Sequence, residues 1–198
     1  MSNIQNSINR SSIPVISTYL HWGCAQAALA LAPTPRTLLD VGGNGRMSCF
    51  VPCQVTNANI LQGIDGTNLP YKDRSFDICT SVAVLEHVSD WKAFLKESIR
   101  VGTRGAVHWI PLGKVAREIE AYKDAAGHIH PCKIYEVEEV ADYATTICTR
   151  YKLTPFMNVS EQLLLLVTVN RKLDVDATYE LVRDRGSQEY GYLLSLIP

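Results

Sequence analysis

The sequence has no long apolar run, no closely paired cysteines, no secretory leader pattern and no excess of either charge. The run Leu163 to Val167 falls far short of a membrane span. Met1 to Arg10 is polar and rich in Asn and Ser, without the basic-then-apolar order of a signal peptide. These absences lead us to expect a cytoplasmic protein without a membrane partner. Nineteen basic side chains against twenty acidic ones leave a formal net charge of -1. Bulk attraction to nucleic acid is therefore missing, and a nucleic-acid partner is not expected. The six cysteines, Cys24, Cys49, Cys53, Cys79, Cys132 and Cys148, form no C-x-x-C pair and no zinc-finger spacing with histidine. No metal site is expected, and the thiols read as reduced, buried small hydrophobes.

What is present suits one globular domain over residues 1–198, since 46% of residues are hydrophobic and 20% charged. Residues 1–15 read as a loose arm. A helix is predicted over 17–32 from Leu20, Cys24, Ala27, Ala28 and Leu31, ended by Pro33 and Pro35. Strands are predicted at Thr37–Val41, Val55–Ile60, Phe76–Val82, Ala106–Leu112 and Leu163–Asn170. Ser89 or Asp90 caps a helix whose stripe is Trp91, Phe94, Leu95, Ser98 and Ile99. Lys114–Ala126 reads as a polar helix, Gly127–Pro131 as a loop, and Asp176–Arg185 as a terminal helix. A second stripe runs through Val137, Val140, Ala141, Ala144, Ile147, Cys148 and Tyr151. Strands alternating with helices predict an α/β fold, a doubly wound and mostly parallel sheet with helices on both faces.

Two local features carry chemistry. In L-L-D-V-G-G-N-G-R, residues 38–46, a buried strand runs into a turn with glycines at 42, 43 and 45. Glycine admits positive φ and a close ligand approach, and the turn falls at a strand's carboxyl end, where open α/β sheets bind ligands. In G-I-D-G-T-N-L-P-Y-K-D-R-S-F-D, residues 63–77, Asp65 sits in a glycine-flanked loop before a strand. A carboxylate there accepts hydrogen bonds from an exocyclic amine, and Gly66 leaves room for a flat ring.

These stretches, with V-L-E-H-V at 84–88, F-L-K-E-S-I-R-V at 94–101 and H-W-I-P-L at 108–112, resemble a class I, Rossmann-like, S-adenosylmethionine-dependent methyltransferase of the small single-domain type. The resemblance covers about residues 36–170 and implies S-adenosyl-L-methionine as cofactor. It places Gly42, Gly43, Asn44 and Gly45 on the methionine and ribose side, with Asp40 organising the turn. Asp65 would contact the adenine amine beside Gly66 and Thr67. Val82 and its neighbours would approach the adenine or the methyl donor. Asn59, followed by Ile60, stands where the family commonly has an acidic residue for the ribose hydroxyls. The glycines fall at +2, +3 and +5 from Asp40, where the family has +2, +4 and +6. The stretch between Asp40 and Asp65 is short, leaving little room for a helix after the second strand and implying an open pocket.

An oxygen acceptor needs its proton removed, and histidine suits neutral pH. His128 and His130, in G-H-I-H-P, are candidates for a base or acceptor-positioning group, or else pack on the sheet edge. His87 is the third candidate, with a pocket-wall or structural role. His108 is expected to pack in its strand, and His21, Tyr19 and Trp22 to form a lid or ordinary core. Residues 113–131 are the expected acceptor-side insertion. The leading function is methyl transfer to an O or N atom of a small-molecule acceptor, and the domain is compatible with a homodimer. The shifted glycines and Asn59 motivate a second class, a non-catalytic binding or partner protein. A nicotinamide-dependent oxidoreductase is disfavoured by the missing G-x-G-x-x-G.

Overall fold

The computed structural model describes residues 15–113, 117–123, 129–148, 150–155 and 162–168, with side chains at 20–111, 133–148, 150 and 151. The elements run α1 (Val15–Leu31), β1 (Thr37–Val41), β2 (Gln54–Ala58), β3 (Ile78–Val82), α2 (Trp91–Val101), β4 (Gly105–Gly113), β5 (Arg117–Lys123), β6 (Ile129–Glu136), α3 (Val137–Ile147), β7 (Arg150–Pro155) and β8 (Gln162–Thr168). Short 3-10 turns stand at Arg46–Cys49, Ile60–Gln62 and Leu85–His87.

The strand order is β2-β1-β3-β4, with parallel pairing throughout. Beyond β4 the sheet divides. Gly105–Pro111 pair antiparallel with β8, which pairs antiparallel with β7. Leu112 and Gly113 pair in parallel with the end of β6. T-L-L-D-V is buried from Leu38 to Val41 because helices cover both faces of the strand. On one face α1 packs Cys24, Ala27, Ala28 and Leu31 against Leu38, Ile78 and Val107. Small residues let α1 sit close to the sheet, and the Cys24 thiol reaches the Val107 carbonyl at 3.5 Å. On the other face α2 packs Phe94, Leu95 and Val101 against Leu39, Cys79, Ala106 and Ile110. Each such buried large side chain contributes about 1.5–3 kcal/mol. The Asp90 carboxylate starts α2 by accepting from the Ala93 amide at 2.9 Å.

The doubly wound, mostly parallel architecture is thus present, and several local expectations change. The helix expected over Lys114–Ala126 is absent from its described part: residues 117–123 are β5, antiparallel to β6. In R-E-I-E-A-Y-K, Ile119 and Ala121 alternate with Glu118 and Glu120, a period-two signal that the mixed charges mask. The expected loop at 127–131 already holds the start of β6 at Ile129. Ile60 leaves its strand for a 3-10 turn, because Asn59 caps that turn through its side chain. Phe76 makes a lone bridge to Gly102, and β3 begins at Ile78. Tyr151 lies on β7 rather than on the α3 stripe. Cys24 and Cys79 are buried, whereas Cys49 is exposed. His21 and Trp22 are buried, and Trp22 packs in the α1 core. The arm over 1–14 and the helix at 176–185 lie outside the described residues.

No α-helix intervenes between β1 and β2 or between β2 and β3. Residues 42–53 and 59–77 cross instead through 3-10 turns and loops, which leaves the carboxyl ends of β1 and β2 open above the sheet.

Candidate active site

A cavity of about 460 Å³ opens at the carboxyl ends of β1, β2 and β3. That volume is within the range of small-molecule sites, and the position is where open α/β sheets bind ligands. Val41, Gly42, Ala58, Asn59 and Ile60 form one wall, and Ile64, Asp65, Gly66 and Thr67 form the second. Ala83, Val84, His87, Val88, Ser89, Asp90 and Phe94 close the third. Of the residues expected from the sequence, Gly42, Asn59, Ile60, Asp65, Gly66, Thr67 and His87 come together here. Asp40, Gly43, Asn44, Gly45 and Val82 do not line the cavity and stand beside or beneath it. His128 lies outside the described residues. His130 is on β6, and its side chain is outside the description.

The glycine turn is built by packing as much as by backbone freedom. Gly42 has φ +76, and its amide donates to the Ala58 carbonyl at 2.7 Å. A Cβ there would strike Val84 Cγ2. A Cβ on Gly43 would meet carboxylate Oδ2 of Asp40 and, at 2.6 Å, Oδ1 of Asn57. Gly45 has φ +92 with open space around it, and its amide donates to Asn57 Oδ1 at 3.1 Å. Asn59 is committed to the turn. Its Nδ2 donates to the carbonyls of Gly43 at 3.3 Å and Gly42 at 3.4 Å, while its Oδ1 accepts from the Leu61 amide at 3.0 Å. Sequence spacing shows none of this, because the bonds cross from one loop to another.

Asp65 Oδ1 accepts from both the amide and the hydroxyl of Thr67, each at 2.8 Å. These bonds use Oδ1 alone and hold the exposed carboxylate in a fixed turn. At Gly66 the space for a Cβ is filled by Phe94 and Val41, with Phe94 Cε2 at 2.5 Å and Val41 Cγ1 at 2.9 Å. The glycine therefore lets the loop dock onto α2.

Beneath the turn Asp40 is 1% exposed. Oδ1 accepts from Thr80 Oγ1 at 3.0 Å, while Oδ2 has no hydrogen-bond partner. Burial pushes this carboxyl up to about 7, against the pull of the Thr80 bond. Glu86 is buried beside the cavity wall, and burial raises it to about 7 as well, with Oε2 unpartnered. Glu86 Oε1 lies 4.0 Å from Nε2 of the neighbouring His87. Deeper still, His108 Nδ1 meets Ser81 Oγ at 2.8 Å, and burial depresses its pKa to about 3. It packs as a neutral core histidine.

The turn that carries His87 is pinned from β6. The Tyr135 hydroxyl donates to the carbonyls of Val88 at 3.0 Å and Leu85 at 3.3 Å. Tyr135→Phe is expected to lose about 0.5–1.5 kcal/mol and to speed amide exchange at 85–88, measurable by hydrogen-exchange mass spectrometry. Unchanged exchange would show the turn holds itself.

Several lining residues were not singled out as such in the sequence, Val84 and Asp90 among them, and Ala83 was covered only as a neighbour of Val82. Ala83 adopts φ +56, a left-handed conformation costly for a residue with a Cβ, where the chain turns from β3 into the cavity wall. Val84 fills the space above Gly42. Asp90, read from the sequence only as a helix cap, also lines the cavity. The donor set suits a cationic, adenine-bearing cofactor: Asp65 and Asp90 supply negative charge, and Ile60, Ile64 and Val88 supply apolar surface.

Residues 23–110 match a family described as the methyltransferase domain. This segment, a little under half of the chain, is similar to that domain. Norajmaline N-methyltransferase of Rauvolfia serpentina is 48% identical over 42 residues, which are 21% of this chain and 14% of that protein. Ajmaline N-methyltransferase of the same plant is 28% identical over 99 residues, covering 36% of this chain and 34% of that protein. The matched segments thus span at most about a third of these relatives. The 1,6-didemethyltoxoflavin-N1-methyltransferase of Burkholderia thailandensis shares the fold at TM-score 0.53 and 13% identity, over 83% of this chain and 80% of that one. The cavity lies within the matched segment, lined by Gly42 of the glycine turn and by the Asp65 loop.

Proposed function

We propose that this chain is an S-adenosylmethionine-dependent methyltransferase that alkylates a nitrogen atom of a small-molecule acceptor. The observation that carries the reading is the cavity itself. It joins the Gly42 turn, the fixed Asp65 carboxylate and the His87 wall at the carboxyl ends of three parallel strands. Two matching relatives named as N-methyltransferases support nitrogen as the acceptor atom.

When bound, the cofactor supplies a methyl group on a positively charged sulfur. Asp65 would accept from the adenine amine, with Thr67 holding its carboxylate in place. The Gly42 turn would take the methionine side, and Asn59 would keep that turn in shape rather than serve the ribose directly. Asp90 supplies a second carboxylate to the cavity wall. The protein's further task is to align the acceptor and exclude water, which supplies much of such acceleration. His87, in the cavity wall beside the buried Glu86, would accept the proton that the acceptor nitrogen sheds. The β5–β6 hairpin leads off the carboxyl end of β4 and would cover the acceptor side, with His130 on β6 and His128 in the segment before it.

Asp65→Ala is expected to weaken S-adenosylhomocysteine binding by about 1–3 kcal/mol in calorimetry, the cost of losing a hydrogen bond to a charged group. Unchanged affinity would place the adenine elsewhere. A mass-spectrometric screen of small amines and phenols checks the acceptor atom, and methylation of phenols alone would overturn the nitrogen assignment.

A further inference from the structure

The segment after Asp65 and Thr67 has an unusual support. Between β2 and β3 no α-helix supplies partners for the backbone, and buried backbone carbonyls need them. One side chain meets this need. Arg100, on α2, donates from Nη2 to the Leu69 carbonyl at 3.0 Å and from Nη1 to the Tyr71 carbonyl at 2.8 Å. Nη1 also reaches the Asp73 carboxylate at 2.7 Å. Glu97, one helical turn earlier, holds the guanidinium in a fork, with Nε to Oε1 and Nη2 to Oε2 both at 2.7 Å. The same Oε2 accepts from the Leu69 amide at 2.9 Å. Leu69 is thus gripped at both its N–H and its C=O, and its side chain is buried. The Arg74 amide completes the seam by donating to the Arg100 carbonyl at 2.9 Å.

We propose that Glu97 and Arg100 form a clasp that positions the Asp65–Thr67 loop for cofactor binding. The inference rests on the function proposed above. The clasp begins two residues beyond Thr67. The loop's other anchor, Gly66 against Phe94, lies on the same helix, so α2 holds the loop on both sides of Thr67. The planar five-donor fork of arginine matches this task, since it satisfies two carbonyls and two carboxylates at once. Lysine, with a compact ammonium, cannot reproduce it. Arg100 does not line the cavity described above, so it is a positioning residue and acts through Asp65.

The test is a calorimetric titration of S-adenosylhomocysteine into wild type, R100Q, R100K, D65A and the double variant R100Q/D65A. The expected result is a Kd about tenfold or more weaker for R100Q, with only partial rescue in R100K. The double variant should be no weaker than D65A, because the clasp works through Asp65. If R100Q does not fold, E97Q is used in its place. It keeps an oxygen for the Leu69 amide and removes both the charge and the second acceptor that hold Arg100, since its NH2 would face Arg100 Nε. Wild-type affinity in the substituted clasp, or a penalty that adds fully to that of D65A, would overturn the clasp while the cofactor assignment stands. A wild-type protein that binds no S-adenosylhomocysteine would overturn the function and the clasp's role together.

Discussion

Gly42→Ala is expected to cost about 2–5 kcal/mol of stability and to close the cavity where the cofactor's methionine side would lie. Two effects add. Gly42 has φ +76, a region that costs a residue with a Cβ roughly 1–2 kcal/mol. The new methyl group would also press on Val84 Cγ2, and overpacking costs about 1–3 kcal/mol. Relief is hard, because Val84 sits between the strained Ala83 and the Leu85–His87 turn. Gly45→Ala is the internal control. Its φ is +92, but nothing lies within 4 Å of the added Cβ, so only the backbone cost of about 1–2 kcal/mol applies. Urea denaturation of both variants separates the effects. Equal losses would show that the Gly42–Val84 contact carries no weight.

Asp40→Asn is expected to stabilise the protein increasingly as pH rises from about 4 to about 7, and by a constant amount above that. Burial raises the Asp40 carboxyl from 3.8 to about 7 in the folded chain. Between those values the folded protein keeps a proton that the unfolded chain has released. Stability from this group is therefore full below pH 4 and lost as pH climbs through 7. Three pH units correspond to at most about 4 kcal/mol. Asparagine does not ionise and retains an acceptor for the Thr80 hydroxyl. Glu86 and His108 also titrate away from their usual ranges, but both are present in each protein and cancel in the difference. Unfolding free energies of wild type and Asp40→Asn, compared at pH 5 and pH 8, should diverge by a few kcal/mol. A pH-independent difference would mean that the Asp40 carboxylate is solvated or paired in the native state.

Much of the central layer was legible in the chain. T-L-L-D-V reads as a strand buried on both faces. The 91–101 helix declares itself through its apolar stripe and through Asp90 three residues before Ala93. Asp65, Gly66 and Thr67 are adjacent in the sequence, and a short local turn holds them together in the cavity wall. Partners distant in sequence decide the rest. Asn59 looks like a ribose ligand in its own segment, yet its amide is committed to Gly42 and Gly43 seventeen and sixteen residues away. Gly66 looks like space left for a ring, and the ring that fills it is Phe94. Arg100 carries no signal of its own in the sequence, and only the fold shows it holding the carbonyls of Leu69 and Tyr71. Mixed charge hid β5, whose antiparallel partner β6 confers the extended conformation on a stretch that also suits a polar helix.

The central claim is that the cavity framed by the Gly42 turn, the Asp65 loop and the His87 wall binds the methyl donor. A calorimetric titration of S-adenosylhomocysteine into the wild-type protein tests it most directly. The account predicts saturable binding at one molecule per chain, weakened in Asp65→Ala and lost in Gly42→Ala, and no saturable heat from the wild type at millimolar ligand would contradict it.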